Sequence, residues 1–244
     1  MNLIKLDAID STNSFLKELA QKRNLENYTV VQTDFQEKGK GQLGAHWNSA
    51  PGKNLLCSVY IEFEGFLAYK QVLLNYAVSI AVYNVLIEYE LPKLAIKWPN
   101  DILSLNQKIA GILIEPVIQK DMIKSAIVGV GINVNQTAFG EEAKQITSLK
   151  RVLEKDFDLN DILTSFITEL KIQVAYITNT KTNVLKKRYL DLLYKKNIPS
   201  MFIEQESMDK FMGMIVGIAP TGKVQIQLED DTIREYGIKE VAFV

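Results

Sequence analysis

Where an apolar run gives way to a turn, Lys97-Trp98-Pro99-Asn100-Asp101 gathers an ammonium, an indole, an amide and a carboxylate around a proline that stops the strand. Seven residues after Asp101, Lys108 opens the run Lys108-Ile109-Ala110-Gly111-Ile112-Leu113-Ile114-Glu115. A lysine entering so apolar a stretch suits an inward ammonium awaiting an anion, and Gly111 removes side-chain bulk where a ligand could lie on the backbone. The plainer alternative is a strand-end lysine whose head returns to water. Upstream, Lys38 precedes Gly39-Lys40-Gly41-Gln42-Leu43-Gly44. Backbone N–H groups and an ammonium can surround an anion there, because glycine permits close approach and positive φ; a mobile surface loop is the alternative. Val128-Gly129-Val130-Gly131-Ile132-Asn133-Val134-Asn135 alternates two glycines and then two asparagines. An amide that both donates and accepts suits a base edge or a ribose, with a glycine-containing turn as the bland reading.

Several chemistries are excluded. The glycine run matches G-x-G-x-x-G, but a dinucleotide-binding loop must open a helix at its end, and here His46-Trp47-Asn48-Ser49-Ala50-Pro51-Gly52 is turn chemistry. Leu94-Ala95-Ile96-Lys97 imitates the strand lysine of protein kinases, yet neither H-R-D nor D-F-G follows. One histidine and one cysteine argue against a zinc centre, so no resident metal site is expected. His46 reads as a solvated loop residue and Cys57, inside an apolar strand, as core.

Residues that could do chemistry need elements to hold them. Asp10 or Ser11 is a plausible N-cap for a short amphipathic helix carrying Phe15, Leu16, Leu19 and Ala20, which puts Ser11-Thr12-Asn13 at its mouth. Strands are expected over Tyr28 to Thr33, Leu55 to Ile61, Leu94 to Trp98, Ile109 to Val117 and Ile123 to Ile132. A long helix is expected from about Leu67 to Tyr89, and two or three more between Ser148 and Lys195. Beyond Pro199 the period changes to five short alternating strands, which suits a small β-barrel. The chain has 244 residues, 47% of them hydrophobic and 23% charged, enough for one substantial core and a second small one. The apolar stretch Val72 to Ile87 is interrupted by Asn75, Ser79 and Asn84 and is shorter than the roughly 20 residues of a bilayer span, so it reads as a buried helix and no membrane is expected. The formal net charge of -1 gives no reason to expect DNA. Residues 1 to 198 hold 24 Lys+Arg against 21 Asp+Glu, and residues 199 to 244 hold 4 against 8, which suggests two regions. The start has no basic segment followed by an apolar run, and the lone Cys57 cannot form an internal disulfide, so a cytoplasmic protein is expected.

In order along the chain, Ser11-Thr12-Asn13, Gln36 with Gly39-Lys40-Gly41, His46-Trp47, Lys97-Trp98-Pro99-Asn100-Asp101, Lys108 to Glu115 and Gly129-Val130-Gly131-Ile132-Asn133 resemble the biotin–protein ligase family. The resemblance spans most of residues 10 to 135, and K-W-P-N-D followed by K-x-A-G-I-L-x-E is its specific part. It implies an α+β fold: a central mixed, largely antiparallel sheet with helices packed on it, as a catalytic domain over 1–198, plus a small C-terminal β-barrel over 199–244. It also implies ATP-dependent activation of biotin as an acyl-adenylate and transfer to a lysine of a biotin carboxyl carrier protein. Ser11, Thr12 and Gln36 would then hydrogen-bond the ureido ring, with Asn13 supporting them. Gly39, Lys40, Gly41 and Gln42 would fold over the biotin carboxyl end and the α-phosphate. Lys108, with Gly111 beside it, would bridge carboxylate and phosphate oxygens. Trp47 would pack on the adenine, with Asn100 and Asn133 as polar contacts, and Asp101 would help deprotonate the acceptor lysine or hold the Mg²⁺ that ATP chemistry requires.

Ten residues before Ser11 leave no room for the DNA-binding domain of some members, so the shorter form is expected; a homodimer is left open. Gln42 and Ala45 stand where the family often shows arginines, and Lys40 also replaces a frequent arginine, so a phosphate-gripping fork becomes a point charge and an amide. A lipoate ligase or octanoyl transferase is the nearest competing enzyme, set apart by Ser11-Thr12-Asn13, since a lipoyl ring offers almost nothing to hydrogen-bond. A non-enzymatic biotin sensor is the alternative from another class.

Overall fold

The computed structural model of the protein describes residues 2–178 and 181–244. Met1, and Asn179 and Thr180 within the stretch expected to be helical, lie outside the described residues. Strands β1 (Leu3–Ile9) and β2 (Val30–Gln36) run parallel, with Ile9 opposite Gln36. A parallel pair cannot be joined by a tight turn, and α1 (Thr12–Lys22) is the crossover between them. Leu16 of α1 packs with Val31 and Ile127. Because β1 and β2 end on the same side of the sheet, the first turn of α1 is delivered to the end of β2, which is why Ser11 and Thr12 can meet Gln36.

The chain continues through β3 (Leu55–Leu67), α2 (Val72–Ile87), β4 (Ala95–Lys97), β5 (Asp101–Ser104), β6 (Gln107–Gln119) and β7 (Met122–Ile132). The seven strands are ordered β1-β2-β3-β7-β6-β5-β4, and every neighbouring pair after the first is antiparallel. Helices α3 (Leu149–Leu153), α4 (Leu159–Thr178) and α5 (Thr182–Asp191) follow. Helix α2 packs on α4, α5 and strands β4 to β6, burying Leu74, Val78, Val82 and Leu86. With the turn before it, this segment is long and apolar enough to match a membrane span by composition. Its packing is that of a core helix, with each fully buried aliphatic side chain contributing about 1.5–3 kcal/mol.

The last five strands, β8 (Ser200–Glu204), β9 (Lys210–Ile218), β10 (Val224–Leu228), β11 (Ile233–Tyr236) and β12 (Val241–Phe243), form an antiparallel sheet in the order β11-β10-β9-β8-β12. The expected barrel is an open one: among the described residues no pairing joins β11 to β12, and β11 exposes Ile233, Arg234 and Glu235. The two sheets share one hydrophobic core, in which Phe202, Ile215 and Ile226 pack with residues of the larger sheet. Trp98 Nε1 also donates to Gly222 O across them at 2.9 Å.

Two strands were not expected from the sequence. Strand β1 is an edge strand of mixed polarity, Leu-Ile-Lys-Leu-Asp-Ala-Ile, and shows no clean alternation. Strand β5 begins at Asp101, which was expected on a turn; the turn covers 98–100 and Asp101 already pairs with Lys97.

Candidate functional site

Three glycines make the floor. Gly111 of β6 lies directly opposite Gly131 of β7, while Gly129 faces Ser58 of β3 on one side and Leu113 on the other. Directly opposed residues share a face, so this part of the sheet presents bare backbone. Trp47, brought in by the loop after β2, lies flat over it: a Cβ at Gly131 would sit 2.6 Å from the indole and one at Gly111 2.8 Å. The indole Nε1 is buried and has no hydrogen-bond partner among the described residues.

At one end of the floor stands a polar cluster. Gln36 Oε1 accepts from Thr12 N at 2.9 Å and lies 3.1 Å from Thr12 Oγ1. Ser58 Oγ is 2.7 Å from Thr12 Oγ1 and 2.5 Å from Asn13 Oδ1. Asn13 Nδ2 donates to Glu115 Oε2 at 2.8 Å, and Lys17 Nζ approaches the other carboxylate oxygen at 3.6 Å. Ser11 occupies the N-cap position of α1 as expected, but its hydroxyl makes no cap bond and remains on the cavity wall.

At the other end is Lys108. Residues 108 and 111 are three apart and would point to opposite faces of a regular strand. The β5–β6 register shifts between Ile102 and Leu103, and this bulge turns Lys108 onto the face of Gly111, where Nζ lies 3.2 Å from the position a Cβ would take. Its ammonium meets Asp101 Oδ1 at 2.7 Å, off the line of a hydrogen bond and so as an ion pair, and stands 5.3 Å from the centre of the Trp47 ring. Both partners are partly exposed, at 31% and 23%, so arriving solutes can reach them.

A cavity of about 570 Å³ joins the two ends. Four lysines, at 40, 97, 108 and 239, line it against one carboxylate, Asp101, so it is positive although the whole chain is nearly neutral. Ser11, Thr12, Asn13, Gln36, Lys40, Gly41, Gln42, Trp47, Asn100, Asp101, Lys108 and Gly111 all reach its wall. Gly39 and Asn133 are not on it. Gly39 is buried against the Trp47 carbonyl, which a Cβ would overlap, and Asn133 is buried, its backbone bonded to Ile109 and Leu149. The Asn100 amide donates to Ile112 O at 2.7 Å and so braces the turn before β5. His46 is exposed as expected, and Cys57 is buried at 1% with its thiol pushed up to about 12 by loss of hydration.

Comparison with known proteins places this geometry. The sequence pattern of the biotin/lipoate A/B protein ligase family matches residues 6–133, more than half of the chain. The chain belongs to that family. Among its relatives, the bifunctional ligase/repressor BirA of Bacillus subtilis is 35% identical over 160 residues, covering 64% of this chain and 49% of that protein. The biotin–[acetyl-CoA-carboxylase] ligase of Paracoccus denitrificans is 32% identical over 127 residues, covering 51% of each. The chain thus spans about half the length of these curated relatives. The structure of the biotin protein ligase from Aquifex aeolicus in complex with biotin and ATP superposes with a TM-score of 0.80 at 29% identity, covering 99% of this chain and 97% of that one.

As a member of the biotin/lipoate A/B protein ligase family, the chain carries features that the sequence left hidden. The glycine loop is folded as a small hairpin, with Gly41 N donating to Ala45 O at 2.7 Å and Leu43 and Gly44 at positive φ. Lys40 Nζ donates to Ser14 Oγ at 2.7 Å, and the Gln42 Oε1 atom is buried with no partner among the described residues. Lys239, from the turn between β11 and β12, donates to Leu43 O at 2.8 Å, so the C-terminal sheet holds the tip of this hairpin. Tyr194, Gln205, Lys239 and Phe243 also line the cavity. No local signal marks them, because only tertiary packing brings them to the cavity. Ser58 had a signal: a hydroxyl within the strand Leu-Leu-Cys-Ser-Val-Tyr-Ile must be paired if buried.

Proposed function

We propose that the protein uses ATP to activate biotin as biotinyl-adenylate and transfers the biotinyl group to a lysine of a biotin carboxyl carrier protein. One observation carries the reading: a single cavity has a hydrogen-bonding ring site at one end and the Lys108 ammonium at the other, with the glycine floor under Trp47 between them. The relatives support it, since the Aquifex aeolicus protein holds biotin and ATP and the Paracoccus denitrificans relative is named for acetyl-CoA carboxylase.

In this reading Ser11, Thr12 and Gln36 bind the ureido ring and Asn13 holds Thr12 in place. Gly111 and the hairpin formed by Gly39, Lys40, Gly41 and Gln42 enclose the carboxyl end. A carboxylate oxygen of biotin attacks the α-phosphorus of ATP and pyrophosphate leaves. Lys108 and Lys40 neutralise the oxygens crowded there, the kind of charge stabilisation whose loss costs about 2.7–4 kcal/mol elsewhere. Trp47 covers the base, with Asn100 on the wall beside it and Asn133 bracing the strand end behind. As substrate oxygens draw Lys108 away, Asp101 is freed from its ion pair and can take the proton of the carrier lysine, whose amine then attacks the acyl carbon and displaces AMP.

Mg²⁺ accompanies ATP in this scheme. Among the described residues no group of three or more His, Cys, Asp or Glu could hold a metal, and Asp101 is the one carboxylate on the cavity wall. Asp101 is the protein group that would hold such an ion, as the alternative to its role as base. Residues 1–198 form the catalytic unit in this reading and 199–244 a closing unit. In this reading the chain works in the cytoplasm, where ATP and a carrier protein would both meet it.

A biotin carboxyl carrier domain incubated with the protein, biotin and ATP should gain one biotinyl mass at its lysine, with no gain when either small molecule is omitted. An unmodified carrier after prolonged incubation defeats the proposal. Thr12→Val keeps the shape of the ring site but removes the hydroxyl, leaving a buried polar group unpaired at about 1–3 kcal/mol. Biotin affinity measured by calorimetry should fall by roughly 5- to 150-fold while affinity for an ATP analogue hardly changes. Equal loss of both would indicate a folding defect.

A further inference from the structure

The ring-end network has a direction, and it begins at Glu115. A carboxylate only accepts, so the Asn13 amide must turn Nδ2 toward Glu115 Oε2, 2.8 Å away. Its Oδ1 then faces Ser58 Oγ at 2.5 Å and accepts the hydrogen bond that the hydroxyl donates. Ser58 has only one proton. With that proton on the Asn13 side, the 2.7 Å contact between Ser58 Oγ and Thr12 Oγ1 closes only if Thr12 donates inward. The longer approach of Thr12 Oγ1 to Gln36 Oε1, 3.1 Å, is bridged instead by Thr12 N, which donates to the same oxygen at 2.9 Å. What Thr12 Oγ1 presents to the cavity is therefore a lone pair.

We propose that Glu115 is a specificity-determining positioning residue: through Asn13 and Ser58 it commits the Thr12 hydroxyl to accept, and so selects a ring that offers an N–H at that point. The inference rests on the reading of the cavity as a biotin site. A cyclic urea offers the N–H; a cyclic carbamate with oxygen at the same place, or a dithiolane, does not. Burial makes the commitment firm, since Ser58 is 0% and Asn13 3% exposed and water cannot supply alternative partners. Lys17 near the second carboxylate oxygen and Gly129 beneath Asn13 hold the chain of groups in place.

The test is selectivity between biotin and its carbamate analogue, measured by calorimetry on the full chain. The parent should prefer biotin by about tenfold or more, the loss expected when an N–H facing a buried acceptor becomes an oxygen. In Glu115→Gln the new amide can donate to Asn13 Oδ1, and this outweighs the long 3.4 Å contact of Asn13 Nδ2 with Leu113 O, so that Asn13 turns over, the chain of protons reverses and Thr12 is freed to donate outward. The preference should then fall to within threefold. Ser58→Ala cuts the chain at its middle and should do the same with Glu115 and Asn13 still paired. Affinity for a non-hydrolysable ATP analogue, read on the same samples, should stay within threefold of the parent. If either variant keeps the parent's preference, or both lose nucleotide binding along with it, Glu115 has no selective role. A parent that binds neither ring overturns the biotin reading itself, which is a distinct result.

Discussion

Replacing Lys108 by alanine should lower pyrophosphate release in the presence of biotin and ATP by about 10²-fold or more, equivalent to about 2.7 kcal/mol of transition-state stabilisation. The bulge between β5 and β6 exists to some purpose here: it brings an ammonium that regular alternation would send elsewhere onto the glycine floor, 5.3 Å from the Trp47 ring centre. Asp101 holds it at 2.7 Å, so the charge is already oriented when substrates arrive and need only exchange one set of oxygens for another. Carboxylate and α-phosphate oxygens must approach each other for adenylate formation, and the repulsion between them is what a positioned cation offsets. Lys40 can supplement this charge but not replace it, because it is exposed and its ammonium is shared with Ser14 of α1 at 2.7 Å. The loss should appear chiefly in kcat, with a smaller fall in biotin affinity, since Lys108 meets the biotin carboxylate but lies apart from the ring end. Steady-state pyrophosphate release across a range of biotin concentrations checks this, and a rate within threefold of the parent removes Lys108 from the chemistry.

Lys108 was legible in the sequence because a charge within an apolar run demands an explanation, but its direction was not, since the bulge depends on how β5 pairs with β6. The same division runs through the site. Thr12 was recognisable as a polar group at a helix mouth and Gln36 only through the family resemblance; that they touch follows from the parallel pairing of β1 with β2, and β1 itself was hidden by its mixed polarity at the sheet edge. Gly111, Gly129 and Gly131 were visible as glycines in strands, while their shared face required the β6–β7 register. Glu115 was read only as the end of a motif, because nothing local says that its carboxylate meets Asn13, 102 residues away. Asn133 is the converse case. Its donor and acceptor pattern suited a ligand, yet at 3% exposure it sits behind the cavity wall. The five C-terminal strands were found from alternation, but the contact of Lys239 with Leu43 arises from docking one sheet against another, which no period encodes.

The glycines of the floor should differ sharply in what they tolerate, and Gly129→Ala should be the most damaging of the three. A Cβ at Gly129 would overlap Asn13 Oδ1, and Asn13 has nowhere to go. Its oxygen is bound to Ser58, its nitrogen to Glu115 and, at 3.4 Å, to Leu113 O, so any retreat breaks at least one buried hydrogen bond. Overpacking of this kind costs about 1–3 kcal/mol, and each buried polar group left unpaired adds about as much again. At about 2–4 °C per kcal/mol for a chain of this size, the melting temperature should fall by roughly 5 °C or more. Because the displaced Asn13 carries Thr12 with it, biotin affinity should fall by about tenfold or more as well. Gly131→Ala meets a different neighbour. Its Cβ would lie 2.6 Å from the Trp47 indole, which belongs to a hairpin and can lift away, since its Nε1 is bonded to nothing among the described residues. That variant should melt within about 2 °C of the parent, because the ring gives up packing and no hydrogen bond. It should change indole fluorescence and weaken the ATP analogue more than biotin. Thermal melts and calorimetry on the two variants decide the matter. A Gly129→Ala protein as stable and as tight for biotin as the parent would mean that Asn13 is free to move, and that the ring end is not the rigid cluster its hydrogen bonds describe.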